Sequence, residues 1–254
     1  MSFLFKKKKE PKVENQIEIP VEQQFPDIVE KDFWELYHLC KPYTMTSLER
    51  LYSLYKAVNY TIQNNIEGDF VECGVWKGGS ALMIGKMLAL KNIQNKKIFL
   101  YDTYEGMSEP TENDKDYAGK TATQLLDENS IEVQNSVWCY SSFDEVKNTI
   151  ALSGLSEENI VMIKGKVEDT ITANLPMNKI ALLRLDTDWY ESTKHELNFL
   201  YPLLSKNGVL IIDDYGHWQG CRKAVDEYIE EHNLSILLNR IDNTGRLAIK
   251  NIGV

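Results

Sequence analysis

Short apolar runs that do not alternate with polar residues recur along this chain, and stripes of helical period stand between them. The runs are Phe70–Cys73, Ile98–Tyr101, Ile160–Ile163, Ile180–Leu185 and Val209–Ile212; the helical patterns fall at Gly79–Leu90, Asp144–Leu152, Tyr190–Leu204 and Gln219–His232. A strand without a polar face is buried on both faces, and a helix joining two such strands makes a parallel crossover. The chain therefore predicts an α/β fold, a doubly wound and mostly parallel sheet. Two further runs, Ile236–Leu238 and Leu247–Ile249, flank a turn with Asn243 and Gly245 and suit an antiparallel edge hairpin. Upstream, Ser47 stands as an N-cap before the stripe of Leu48, Leu51, Leu54, Tyr55 and Val58, which predicts a helix to about Ile62.

The division into segments follows from composition. Residues 1–27 are charged and proline-bearing, which predicts a flexible arm, and residues 28–254 form one domain. Lys6 to Lys9 beside Phe3, Leu4 and Phe5 could touch anionic lipid weakly; a solvated tail is the plainer expectation. Within the domain, the polar stretch from about 105 to 140, with Gly106, Pro110 and Gly119, is long for a connection and predicts a lid or binding loop. The early helices and the arm could serve an interface in a homo-oligomer.

Several classes are excluded. A formal charge of −10 without a basic stripe in the domain argues against a nucleic-acid partner. No apolar run reaches the roughly 18 residues of a membrane span. Cys40, Cys73, Cys139 and Cys221 form no CxxC pair and the N-terminus has no signal-peptide order, so the expectation is reduced thiols and a cytoplasmic location.

The chemistry gathers at strand ends. The strand closing in VECG opens into VWKGGSA and a helix, the place where α/β sheets bind nucleotides. A dinucleotide fingerprint wants glycine two residues after Gly74, but Trp76 stands there. Glu72 would repel a phosphate and attract an ammonium, which favours S-adenosylmethionine over NAD. Asp102 ends the next strand, where an acidic side chain reaches ribose hydroxyls. Further on, Asp186 and Asp188 follow one strand and Asp213 and Asp214 another, all on the same rim. Such a set of carboxylates calls for a hard cation, best Mg2+, unless the groups merely cap helices. His217 stands close by as an acid, a base or a substrate contact, or as a locally bonded loop histidine.

These segments, read as YTMTSLERLYSL, FVECGVWKGGSA, YDTYEGMSEPT, ALLRLDTDWYEST and IIDDYGHWQGCRKAVDEY in that order, resemble the macrocin O-methyltransferase (TylF/MycF-type) family. The likeness runs from about Tyr43 to Ile229. It implies a Rossmann-like class I methyltransferase fold, S-adenosylmethionine as donor, Mg2+, and an acceptor that is a small molecule or glycan with a sugar hydroxyl. It places the donor on Glu72, Gly74, Gly78, Gly79, Ser80 and Asp102 with help from Thr46 and Ser47. It places the metal on Asp186, Asp213 and Asp214, and makes Asp188 the general base with His217 as the alternative. Tyr104 and the tract from Asn113 to Tyr140 depart from the family's pattern. The rival readings are a catechol-type metal-dependent O-methyltransferase, which usually shows Asp-Asn where Asp213 and Asp214 stand, a non-catalytic S-adenosylmethionine-binding protein, and metal-dependent phosphoester hydrolysis.

Overall fold

The structure is a computed structural model and describes residues 19–133 and 135–251. Three helices, α1 (Val21–Gln24), α2 (Lys31–Cys40) and α3 (Leu48–Gln63), precede the alternating part. That part runs β1 (Asp69–Cys73), α4 (Gly79–Leu90), β2 (Ile98–Asp102), α5 (Ala122–Asp127), α6 (Phe143–Ala151), β3 (Ile160–Lys164), α7 (Val167–Thr170), β4 (Ile180–Leu185), α8 (Tyr190–Leu200), β5 (Leu204–Ile212) and α9 (Gln219–Glu231). The hairpin β6 (Asn239–Arg240) and β7 (Arg246–Ile249) completes the sheet.

The strand order is β3-β2-β1-β4-β5-β7-β6. The first five strands are parallel, while β7 runs antiparallel to β5 and β6 antiparallel to β7. The expected sheet and edge hairpin are therefore present. Neighbouring residues explain why the strands lack polar alternation. Leu182 packs into the layer beneath α2, α3, α4 and α6, whereas Leu183 packs into the opposite layer with Trp189, Leu197, Trp218 and Val225. Successive side chains point to opposite faces, and both faces here are core.

One hairpin arm lies three residues later than the sequence pattern suggests. Asp242 Oδ1 accepts from the amides of Thr244 at 2.9 Å and Gly245 at 2.7 Å, and Ile241 N bonds Gly245 O at 3.0 Å. This Asx-turn fixes the register, so Asn239 and Arg240 pair with Leu247 and Arg246, while Ile236 and Leu238 only approach the core. Of the expected arm, residues 1–18 fall outside those described; α1 lies in the remainder, with Val21 and Phe25 half-buried on the helical layer. The 105–140 segment contains α5, started by a capping box of Thr121 and Gln124. No helix among the described residues is long and apolar enough to cross a membrane.

Because β1 lies between β2 and β4, the chain winds one way from β1 and the other way from β4. The crevice at their carboxyl ends is where such sheets bind ligands.

Candidate active site

β1 ends against β4 without room for a side chain. Gly74 adopts φ +80°, and a Cβ there would lie 2.0 Å from the Asp186 carbonyl oxygen. Glycine is thus required where the two strand ends pass. Gly78 at φ +85° opens α4 without itself bordering the cleft, and Gly79 and Ser80 in its first turn do border it. Asp102 closes this turn. Its carboxylate accepts from Val75 N at 2.6 Å, Trp76 N at 3.1 Å and Tyr104 N at 2.6 Å. Three amides converge on the carboxylate, so Asp102 shapes the turn, and it borders the cleft itself. Burial raises its pKa against the pull of those amides.

Behind the turn lies a buried ion network. Glu72 is 1% exposed, and its Oε1 accepts from Arg184 Nη1 at 2.8 Å. Its Oε2 is buried without a partner, and the residue borders the cleft. Arg184 also donates to Asp186 Oδ2 at 2.7 Å, Asp213 Oδ1 at 2.7 Å and Thr46 Oγ1 at 3.2 Å. Burial alone would lower the pKa of this guanidinium, but Asp186, Asp213 and Glu72 outweigh it and raise it. Desolvation drives Glu72 to about 8 in spite of Arg184, with Asp186 and Asp213 adding to the rise. Thr46 borders the cleft itself and is tied to the network by Arg184. Ser47 does not border the cleft, because its hydroxyl caps α3 at Arg50 N, 3.1 Å, and donates to Asp242 Oδ2, 2.7 Å.

The acidic rim divides differently from the sequence expectation. Asp186, Asp188 and Asp214 each bring a carboxylate oxygen within 4.8 Å of the others. Asp213 stands apart from them: Arg184 holds its Oδ1 and Arg50 holds its Oδ2, with Arg50 Nε also 3.0 Å from Asp242. Both oxygens of Asp213 are thus held by guanidinia, whereas Asp188 lies in the cluster. Asp188 has φ +69°, a left-handed backbone that aspartate tolerates better than most non-glycine residues. Burial foremost raises Asp188 to about 7 and holds Asp186 and Asp214 well above the carboxylate range. Asp214 Oδ2 is buried without a partner. Three hard oxygen donors, one of them orphaned, fit a divalent cation.

His217 sits on the turn that starts at Asp214 and borders the cleft, with its ring edge-on to Tyr117 and Trp218. Burial lowers its pKa, so the imidazole is neutral at pH 7. The cleft has a volume of about 410 Å³ and is walled on one side by Met107, Ser108, Val137 and Cys139 from the 105–140 segment. Sequence reasoning did not single out Arg184 or Arg50. The available signal was a charged residue inside the otherwise apolar ALLRL strand, since such a residue is buried only when paired.

A donor turn and an acidic rim on this sheet order define a Rossmann-like, S-adenosylmethionine-dependent O-methyltransferase. The family described as macrocin-O-methyltransferase (TylF) matches residues 40–248, and the chain belongs to it. The demethyldecarbamoylnovobiocin O-methyltransferase of Streptomyces niveus is 32% identical over 203 residues, which is 80% of this chain and 74% of that protein. Mycinamicin III 3''-O-methyltransferase of Micromonospora griseorubida is 29% identical over 203 residues, 80% of this chain and 76% of the other. The solved structure of the O-methyltransferase NovP superposes with a TM-score of 0.72 at 31% identity, covering 82% of both chains. That of CalS11, a calicheamicin methyltransferase, shares the fold at TM-score 0.57 and 17% identity over 92% of this chain and 87% of the other.

Proposed function

We propose that the protein methylates a sugar hydroxyl of a glycoside, with a magnesium ion held by Asp186, Asp188 and Asp214. The observation that carries this reading is the carboxylate cluster itself: three acids within 4.8 Å on the cleft, next to a turn built for the donor. The relatives support the acceptor class, since one acts on mycinamicin III and another is the 4'-O-methyltransferase of a rhamnosyl tetracenomycin from Streptomyces olivaceus.

In the reaction, the acceptor oxygen forms a bond to the methyl carbon as the carbon–sulfur bond breaks; the sulfonium leaves as the neutral thioether of S-adenosylhomocysteine, and the hydroxyl proton must go to a base. Asp186, Asp188 and Asp214 would hold a divalent cation, whose charge would lower the pKa of the acceptor hydroxyl. The chain's own residues do the rest. Glu72 offers its free Oε2 to the donor's ammonium, and the Gly74–Ser80 turn accepts the donor at close range. Arg184 and Arg50 brace Asp213 behind the cluster, and Arg184 holds Asp186 within it. With Asp188 committed to the cluster, neutral His217 takes the proton.

Chelation tests the reading. EDTA should abolish methyl transfer to a panel of rhamnosides and Mg2+ should restore it, while calorimetry shows donor affinity preserved. Full turnover in EDTA refutes the metal's role.

A further inference from the structure

Neither α8 nor α9 supplies its own amino-terminal cap. Both follow a tryptophan, Trp189 and Trp218, whose side chain makes no capping hydrogen bond. The first amides of a helix lack partners within it, and tryptophan cannot accept for them. The partners come from the 105–140 segment. Asp114 is 0% exposed, and its Oδ1 accepts from Tyr190 N at 2.8 Å. Its Oδ2 is held by Thr111 N at 2.7 Å and Thr111 Oγ1 at 2.9 Å. Next to it, Lys115 O accepts from Gln219 N at 2.8 Å at the start of α9. Gly220 leaves space for the same carboxylate: a Cβ there would lie 2.1 Å from Asp114 Oδ1.

These helix ends are the ones that present the reactive residues. Asp188 precedes Tyr190 by two positions, and His217 precedes Gly220 by three. We propose that Asp114 is a positioning residue: wedged between the amino ends of α8 and α9, it fixes the Asp188 loop relative to the His217 loop. A carboxylate at two helix amino ends is favoured by both dipoles as well as by its hydrogen bonds. The same half of the segment is tied down by Trp189 Nε1, which donates to Ser108 O at 3.0 Å, and by the bridge between Asp116 and Trp218. This half is therefore a fixed clamp. The inference concerns the placement of Asp188 and rests on the reading of Asp188 as a ligand only for its metal readout.

Two substitutions dislodge the carboxylate independently, Asp114→Ala by removing it and Gly220→Ala by occupying its space. Asp114→Asn keeps an acceptor for Tyr190 N but turns an amide nitrogen towards Thr111 N, so it fills the wedge while losing one of its hydrogen bonds. The readouts on the full chain, saturated with S-adenosylhomocysteine, are Mn2+ affinity by electron paramagnetic resonance and near-ultraviolet circular dichroism of the Trp189–Trp218 pair, whose rings lie 4.8 Å apart. Both disruptive variants should bind Mn2+ about tenfold more weakly, the low end for loss of an outer support of a metal site. Both should also show a reduced tryptophan signal, with S-adenosylhomocysteine affinity unchanged and Asp114→Asn intermediate between them and wild type. Unchanged Mn2+ affinity and tryptophan signal in both folded variants overturn the proposal, as does an equal loss of S-adenosylhomocysteine affinity, which marks general destabilisation. If wild type binds no Mn2+, the metal reading fails by itself, and the tryptophan signal with proteolytic cleavage between 111 and 121 decides the role of Asp114.

Discussion

Replacing Arg184 by Met removes one buried guanidinium from three carboxylates while roughly keeping its volume. The side chain is 3% exposed and touches Glu72, Asp186 and Asp213 at 2.7–2.8 Å. Removing one partner of a buried ion pair costs about 3–5 kcal/mol, and here Glu72 loses its sole counter-ion while Asp213 keeps Arg50. For a chain of this size that lowers Tm by roughly 6–20 °C. The loss should also depend on pH, and its sign follows from Glu72. Its folded pKa, about 8, lies above its ordinary 4.5, so folding favours its protonated form. The stability from that proton is fully present below 4.5 and disappears as pH rises through 8. Without Arg184 the carboxylates need their protons still more. The deficit relative to wild type should therefore be small near pH 5 and large near pH 8. Thermal melts of metal-free, donor-free protein at both pH values measure it. A Tm within about 2 °C of wild type at pH 8, less than 1 kcal/mol at this size, refutes the reasoning. So does an equal deficit at both pH values, because it would assign the loss to packing.

Asp102→Ala frees the Val75 and Trp76 amides and should weaken S-adenosylmethionine binding about tenfold to a hundredfold, taking 1.5–3 kcal/mol for hydrogen bonds to a charged group; calorimetry reads it. His217→Ala should lower kcat by about 10²- to 10⁴-fold with metal affinity kept, whereas Asp188→Asn should raise the magnesium concentration required. The opposite pattern, a kcat defect in Asp188→Asn at saturating metal and an active His217→Ala, makes Asp188 the base. Ser47→Ala should cost about 1 kcal/mol of stability through the lost α3 cap and leave donor affinity intact, as a melt paired with calorimetry would show.

The sheet was legible because its strands are buried on both faces, which writes itself into the chain as unbroken apolar runs such as Ile180–Leu185. The hairpin arm was misplaced because β6 is made of exposed Asn239 and Arg240, whose pairing comes from the Asp242 turn and not from hydrophobicity. At the site, chain order located every acidic residue on the rim but could not say which way each points. Asp213 and Asp214 are neighbours in sequence, yet one faces two guanidinia and the other faces Asp186 and Asp188. That choice depends on Arg50, which arrives from α3 and is remote in sequence from both. Asp114 was illegible for the same reason: its partners Tyr190 and Gly220 are brought to it only by the packed helices.

The bond between Glu72 and Arg184 joins residues 112 positions apart, the span between the central strands β1 and β4. A chain leaving the ribosome amino end first has β1, α4 and β2 in hand well before β4 exists, and at about 5–20 residues per second the wait is several seconds. Throughout it, β1 has one open edge and Glu72 has no counter-charge. The nascent half can keep that acid wet or protonated, but it cannot bury it ionised. Completion of the donor half is thus deferred until residue 184 is made, so the two halves of the active site mature together and the chain has little opportunity to present a donor turn that lacks its acidic rim.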